Sequence, residues 1–96
     1  MSDLKPYNEE QVQQRLGDNS QWQLVNDKLY RRLVFEDFVH AFGFITQLAM
    51  LAEKANHHPE WANIYRTVDV FLTTHEAGGV SDRDFELMEA INKIIG

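Results

Sequence analysis

The spacing of apolar residues switches along the chain between helical repeat and strand alternation, and each switch predicts an element. The run N-E-E-Q-V-Q-Q-R-L-G from Asn8 predicts a short helix: Asn8 as N-cap, Gln11 in the capping-box place, Gly17 as the stop. Only Val12 and Leu16 anchor it. W-Q-L-V and K-L-Y-R-R-L-V-F then flank Asn26-Asp27, and Leu29, Arg31 and Leu33 alternate with Tyr30, Arg32 and Val34. That pattern predicts a hairpin over residues 21 to 34.

From Phe35 to about Lys54 the repeat becomes helical, with Phe38, Phe42, Ile45, Ala49 and Ala52 in one stripe. A second stripe, Ala41, Phe44, Leu48 and Leu51, lies about 100 degrees round the helix. The apolar arc is wider than one sheet needs. The helix is therefore expected to touch both its own sheet and a partner subunit, the second stripe serving the partner. A-N-I-Y-R and T-V-D-V-F-L-T-T predict two further strands, the latter alternating Val68, Val70 and Leu72 with Asp69, Phe71 and Thr73. After the loop signal Gly78-Gly79, S-D-R-D places Ser81 and Asp84 as a capping box opening a helix with Phe85, Leu87, Met88, Ile91, Ile94 and Ile95. The order α-β-β-α-β-β-α predicts an α+β two-layer sandwich with a four-stranded antiparallel sheet.

At 96 residues a single domain over 1–96 is expected, small enough that shared subunit surface would help stability. Nine basic against 15 acidic residues leave a net charge of -6, which disfavours nucleic acid and anionic membranes as partners. Lys28, Arg31 and Arg32 cluster, as a solvated strand face would. There is no cysteine, so disulfides, thiol nucleophiles and thiolate metal sites are excluded. The start M-S-D-L-K-P-Y lacks a signal peptide's apolar core, and the run Phe42 to Ala52 falls short of the roughly 18 residues that span a bilayer. A cytoplasmic location is expected.

The candidate chemistry lies in the histidines. Of His40, His57, His58 and His75, the last three fall at element ends, where a rigid scaffold presents reactive groups. His40 shares a polar stripe with Glu36, Gly43 and Gln47 and reads as solvated. In N-H-H-P-E-W the pair His57-His58 follows the long helix, whose negative end favours imidazolium. Pro59 pushes His58 into extended backbone, so the two rings should point apart. Glu53, Glu60 and Glu76 could supply carboxylates to a metal, but adjacent histidines do not share a helix face and no H-E-x-x-H occurs. Ser2, Ser20 and Ser81 lie in no G-x-S-x-G elbow, and Gly78-Gly79 start no phosphate loop. Metal-free proton transfer is the chemistry left.

E-K-A-N-H-H-P-E-W-A-N-I-Y from Glu53, followed by L-T-T-H-E-A-G-G-V-S-D-R-D from Leu72, resembles the signature of the pterin-4a-carbinolamine dehydratases. The likeness is strong in the second half of the chain; in the first it rests on element order and W-x-L. Asn56 stands where aspartate is also common, and Val80-Ser81 where Leu-Thr is frequent. The resemblance implies helices on one face of the sheet, assembly as a homodimer or homotetramer, and dehydration of 4a-hydroxytetrahydropterin to quinonoid dihydropterin and water. Pterin would be the substrate and no cofactor would be needed. An aromatic amino acid hydroxylase would be the enzyme served.

By the same resemblance, His57, His58 and His75 match three active-site histidines, with Pro59 and the backbone of Thr74, His75, Glu76 and Ala77 lining the pterin pocket. His57 and His75 are expected to flank the reacting carbon as acid and base, and His58 to orient the pterin. Glu53 and Asp84 match acidic positions that could set a histidine tautomer, though Asp84 could simply cap its helix and Glu53 be exposed. Trp61 would either wall the pocket or pack in the core, while Asn63 and Tyr65 read as structural. A role from another class stays open: a non-catalytic dimerisation or coactivator module that binds a protein through the long helix.

Overall fold

The computed structural model describes residues 4–18 and 20–95; Ser2 and the M-S-D start lie outside the described residues. The elements run α1 (Glu9–Leu16), β1 (Gln23–Val25), β2 (Lys28–Val34), α2 (Phe38–Ala55), β3 (Glu60–Ile64), β4 (Thr67–Leu72), a 3-10 turn (His75–Ala77) and α3 (Asp82–Ile95). This is the predicted order. The four strands form one sheet, β1-β2-β4-β3, antiparallel throughout.

Both hairpins depend on residues at positive φ. Asn26 and Asp27 (φ 51 and 62) form the two-residue turn joining β1 to β2, a conformation these short polar side chains tolerate. Tyr65, also at φ 53, turns β3 into β4, so β3 spans 60–64 rather than the predicted 62–66. Asn63 braces that turn: its Nδ2 donates to the carbonyls of Tyr65 and Thr67, each at 3.0 Å.

Leu29 and Leu33 of β2 and Val68, Val70 and Leu72 of β4 point to the helices and are buried with Phe85 and Ile91 of α3. On the opposite face Tyr30 stacks on Phe71 at 4.8 Å, while Asp69 accepts from Tyr30 and Arg32 and Glu60 pairs with Lys28. Arg31 departs from the expected solvated face. Its place in the alternation turns it toward the helices, where it is half-buried and donates to Asn92 at 3.1 Å.

Helix α2 begins three residues later than predicted, because Asp37 is its N-cap and accepts from the His40 backbone N–H. Phe35, just before it, packs on Phe44 at 5.2 Å. The assignment of the two stripes is reversed. Ala41, Phe44 and Leu48, expected to meet a partner, are buried against this chain's own sheet. The other stripe divides: Ile45 and Ala52 are buried, while Phe38 and Phe42 are 46% and 54% exposed. A helical repeat shows how wide an apolar arc is, and the register that chooses the buried side is set by the sheet. Among the described residues no helix is long and apolar enough to cross a membrane.

Candidate active site

The end of α2 sets where His57 stands. Asn56 takes the left-handed conformation (φ 51, ψ 44), its N–H reaching the Glu53 carbonyl at 3.2 Å and the His57 N–H reaching that of Ala52 at 3.1 Å. These are the paired bonds of a Schellman motif. Aspartate would tolerate the same backbone, which accounts physically for either residue at this position. His57 thus leaves the helix pointing inward, while Pro59 sends the next ring outward.

The start of α3 meets it. Asp84 is fully buried and its Oδ1 lies 2.6 Å from His57 Nε2. Its Oδ2 accepts from Thr74 Oγ1 at 2.7 Å and from the Ser81 backbone N–H at 2.9 Å. With the Thr74 proton committed to Asp84, the 2.7 Å contact between the two hydroxyls requires Ser81 Oγ to donate to Thr74. Ser81 Oγ in turn accepts from the Arg83 N–H at 3.3 Å. Among the described residues no buried side-chain nitrogen or oxygen lacks a partner. Asp84 therefore does both things the sequence left open: it caps α3 through Ser81 and it holds His57. Read as an ion, it accepts the Nε2 proton, and the neutral ring then carries its lone pair on Nδ1.

An external clasp ties the same helical turn to the N-terminal stretch. Tyr7 donates to Asp82 and accepts from Arg15, and Arg15 also reaches Asp82 at 3.0 Å and lies over the Phe85 ring, 4.6 Å from its centroid. The Tyr7 hydroxyl, and then Arg15, hold the Asp82 carboxyl below its ordinary value.

The other predicted residues are distributed around this centre. His58 is exposed and its Nε2 meets Glu53 Oε1 at 2.8 Å, so Glu53 is exposed yet has a histidine partner. His75 and Glu76 are exposed on the 3-10 turn, which the Thr74 carbonyl closes by accepting from the N–H groups of Ala77 and Gly78. Gly78 sits at φ 82, where a side chain would strain the backbone. Pro59 is half-buried, and Trp61 is 39% exposed on the edge strand, so it does not pack in the core as one reading had it. His57 lines a cavity of about 340 Å³ between α2 and α3, whereas His75 lines another of about 250 Å³ beside Thr73 and Lys28. The structure thus brings His57, Thr74, Ser81 and Asp84 together and sets His58 and His75 on adjoining surfaces. Arg83 spans part of the gap, lining the His57 cavity with its Nη1 4.0 Å from Glu76. The side chains of Thr74 and Ser81 were not anticipated as supports for the site. The S-D-R-D spacing was the available signal, and it indicated only a cap. Among the described residues no group of three or more His, Asp or Glu side chains is placed to share a metal ion.

Comparison with known proteins identifies the family. The family model described as pterin 4 alpha carbinolamine dehydratase matches residues 5–94. A provisionally named pterin-4-alpha-carbinolamine dehydratase of Rhodopseudomonas palustris is 54% identical over 86 residues, covering 88% of this chain and 85% of its own. One of the same provisional name from Prochlorococcus marinus is 56% identical over 71 residues, 74% of each chain. Among solved structures, a transcriptional coactivator/pterin dehydratase from Brucella melitensis superposes with a TM-score of 0.89 at 39% identity, covering 96% of this chain and 100% of that one. Sequence likeness over nearly the whole length leads to one conclusion: the chain belongs to the pterin 4 alpha carbinolamine dehydratase family.

Proposed function

We propose that this chain dehydrates 4a-hydroxytetrahydropterin to quinonoid dihydropterin and water, with His57 as a proton carrier and Asp84 as the group that fixes its tautomer. The observation that carries the reading is the buried 2.6 Å bond between them, made by a carboxylate whose other oxygen is already engaged. In the reaction the 4a-hydroxyl gains a proton, the C4a–O bond breaks and water leaves. N5 gives up its proton and its electron pair forms the C4a=N5 bond. Each assisted proton transfer typically contributes about 10²- to 10⁴-fold. A ring with Nδ1 free and Asp84 behind Nε2 can take a proton and hold it as imidazolium against a carboxylate.

In the same proposal His75 is the second proton carrier and His58, set by Glu53, orients the pterin. Pro59, Thr74, Glu76 and Ala77 contribute pocket backbone. The product would return to an aromatic amino acid hydroxylase. The chain would assemble as a homodimer or homotetramer, supported by the exposed Phe38, Val39, Phe42 and Met50 on α2. A purely protein-binding role would leave the His57–Asp84 bond without a task, since α3 is capped by Asp84 whether or not the ring is there. Purified protein should speed the loss of synthetic 4a-carbinolamine absorbance, and His57→Ala should remove most of that acceleration. A preparation no faster than buffer would overturn the proposal.

A further inference from the structure

We infer that Tyr7 is a positioning residue for the reaction: it clamps the turn that carries the carboxylate behind His57, and the clamp keeps the ring's proton on Nε2. This rests on the dehydratase reading above. Asp84 is aimed by the backbone around Ser81, whose amide donates to Oδ2 at 2.9 Å and whose carbonyl accepts from the Asp84 and Phe85 N–H groups at 3.1 and 3.4 Å. Tyr7 grips the chain on both sides of that residue. Before Ser81, the Tyr7 backbone N–H donates to the Val80 carbonyl at 2.7 Å. After it, the Tyr7 hydroxyl donates to Asp82, and the Tyr7 ring packs on the buried ring of Phe85 with centroids 5.0 Å apart.

The grip is anchored on its own side as well. Tyr7 stands at N′ and Val12 at N4 of α1, the two places of a hydrophobic staple, and Val12 belongs to the buried core against which Tyr7 packs. Pro6, with its φ locked, seats closely on the turn: a Cβ added to Gly79 would stand 3.4 Å from the Pro6 Cβ. From the last turn of α1, Arg15 donates to the Tyr7 hydroxyl and lies over both rings, 5.8 Å from the Tyr7 centroid and 4.6 Å from that of Phe85. The loop from Thr74 to Gly79 needs none of this. Thr74 and Gly79 exchange backbone bonds at 3.0 and 3.2 Å, and the Thr74 carbonyl closes the 3-10 turn between them. What depends on Tyr7 is therefore the step from Val80 to Phe85, which aims Asp84 at His57, and not the loop proposed to line the pterin pocket. That division predicts a change in kcat rather than in KM.

The test compares wild type, Tyr7→Phe, Tyr7→Ala and Asp69→Asn in turnover of the 4a-carbinolamine and in ¹⁵N spectra of the His57 ring. Tyr7→Ala should lower kcat by about 10- to 100-fold, the scale of a small misplacement of a reacting group, with KM within about twofold of wild type. Its His57 proton should be shared between Nε2 and Nδ1. Tyr7→Phe keeps the backbone N–H and the ring contact and loses only exposed bonds of small worth to folding, so it should stay folded and fall between the two. Asp69→Asn, on the opposite face of the sheet, should match wild type in both readouts, which separates positioning from lost stability. Wild-type kcat in Tyr7→Ala, or a rate loss that Asp69→Asn shares, overturns the clamp. If Tyr7→Ala does not fold, wild-type kcat in Tyr7→Phe overturns it equally. A wild type no faster than buffer instead removes the dehydratase reading, and the ring spectra, which need no substrate, still decide the clamp: a proton fixed on Nε2 in both Tyr7 variants refutes it.

Discussion

Replacing Asp84 by asparagine changes one atom type and tests the proton-transfer proposal at its centre. Three donors converge on this carboxylate: His57 Nε2–H at 2.6 Å, Thr74 Oγ1–H at 2.7 Å and the Ser81 N–H at 2.9 Å. An amide has one acceptor oxygen and one NH₂ group. With its oxygen toward Thr74 and Ser81, it presents N–H to His57, and the bond survives only if the ring proton moves from Nε2 to Nδ1. The Nδ1 lone pair is then lost. Asp84→Asn should therefore cost about 10²- to 10⁴-fold in kcat, the usual worth of one general acid or base. The stability loss should be only about 1–3 kcal/mol, because bonds to a charge become neutral bonds. Asp84→Ala is less informative: it strands three buried donors at a cost of roughly 3–5 kcal/mol, against a total of about 5–14 kcal/mol for a domain of this size. Stopped-flow decay of carbinolamine absorbance gives the rate, and ¹⁵N shifts of the His57 ring report its tautomer. The reasoning fails if Asp84→Asn stays within about threefold of wild type, or loses activity with the proton still on Nε2.

Three further outcomes are expected. Phe42→Asp, on the exposed band of α2, should lower the mass seen in light scattering without melting the protein, whereas Phe44→Asp should unfold it, a core deletion of this kind costing about 3–5 kcal/mol before the buried charge is counted. An unchanged mass for Phe42→Asp would remove α2 from the assembly surface. Asn56→Gly should keep the thermal midpoint and the activity, while Asn56→Val should lose about 1–2 kcal/mol and some activity, since only the former is at ease at φ 51; equal stability in both would contradict the cap. The hydrogen bond from Arg32, aided by Tyr30, holds the Asp69 carboxyl below its ordinary value of 3.8. Asp69 should thus contribute stability above that value and lose it as pH falls through the lower folded one. In urea titrations the gap between wild type and Asp69→Asn should narrow as the pH falls below 3.8, and a constant gap would refute the linkage.

Local rules made much of the fold legible. Asn8 and Gln11 form the predicted capping box, and the alternations in β2 and β4 match the buried and exposed faces of the sheet. Local rules also gave the divergence of the two rings, because Pro59 acts on its own neighbour. They failed where register between elements decides. Both stripes of α2 are apolar, so nothing within the helix selects Phe44 for the core over Phe42. The separation of 27 positions from His57 to Asp84 carries no periodic signal that they touch, and only resemblance linked them. Nor could spacing foretell that Thr74 would spend its hydroxyl on the same carboxylate. Trp61 stayed exposed because its strand ended at the sheet edge.

One oxygen of Asp84 accepts the Ser81 amide that begins α3 while the other holds the ring of His57, so fraying of that first turn and misalignment of the ring are a single event. Hydrogen exchange at the Ser81 amide then becomes a clock for the competent enzyme. Its protection factor measures the fraction of molecules with the carboxylate in place, and mutations far from the histidines would reveal their catalytic cost there before any substrate is added.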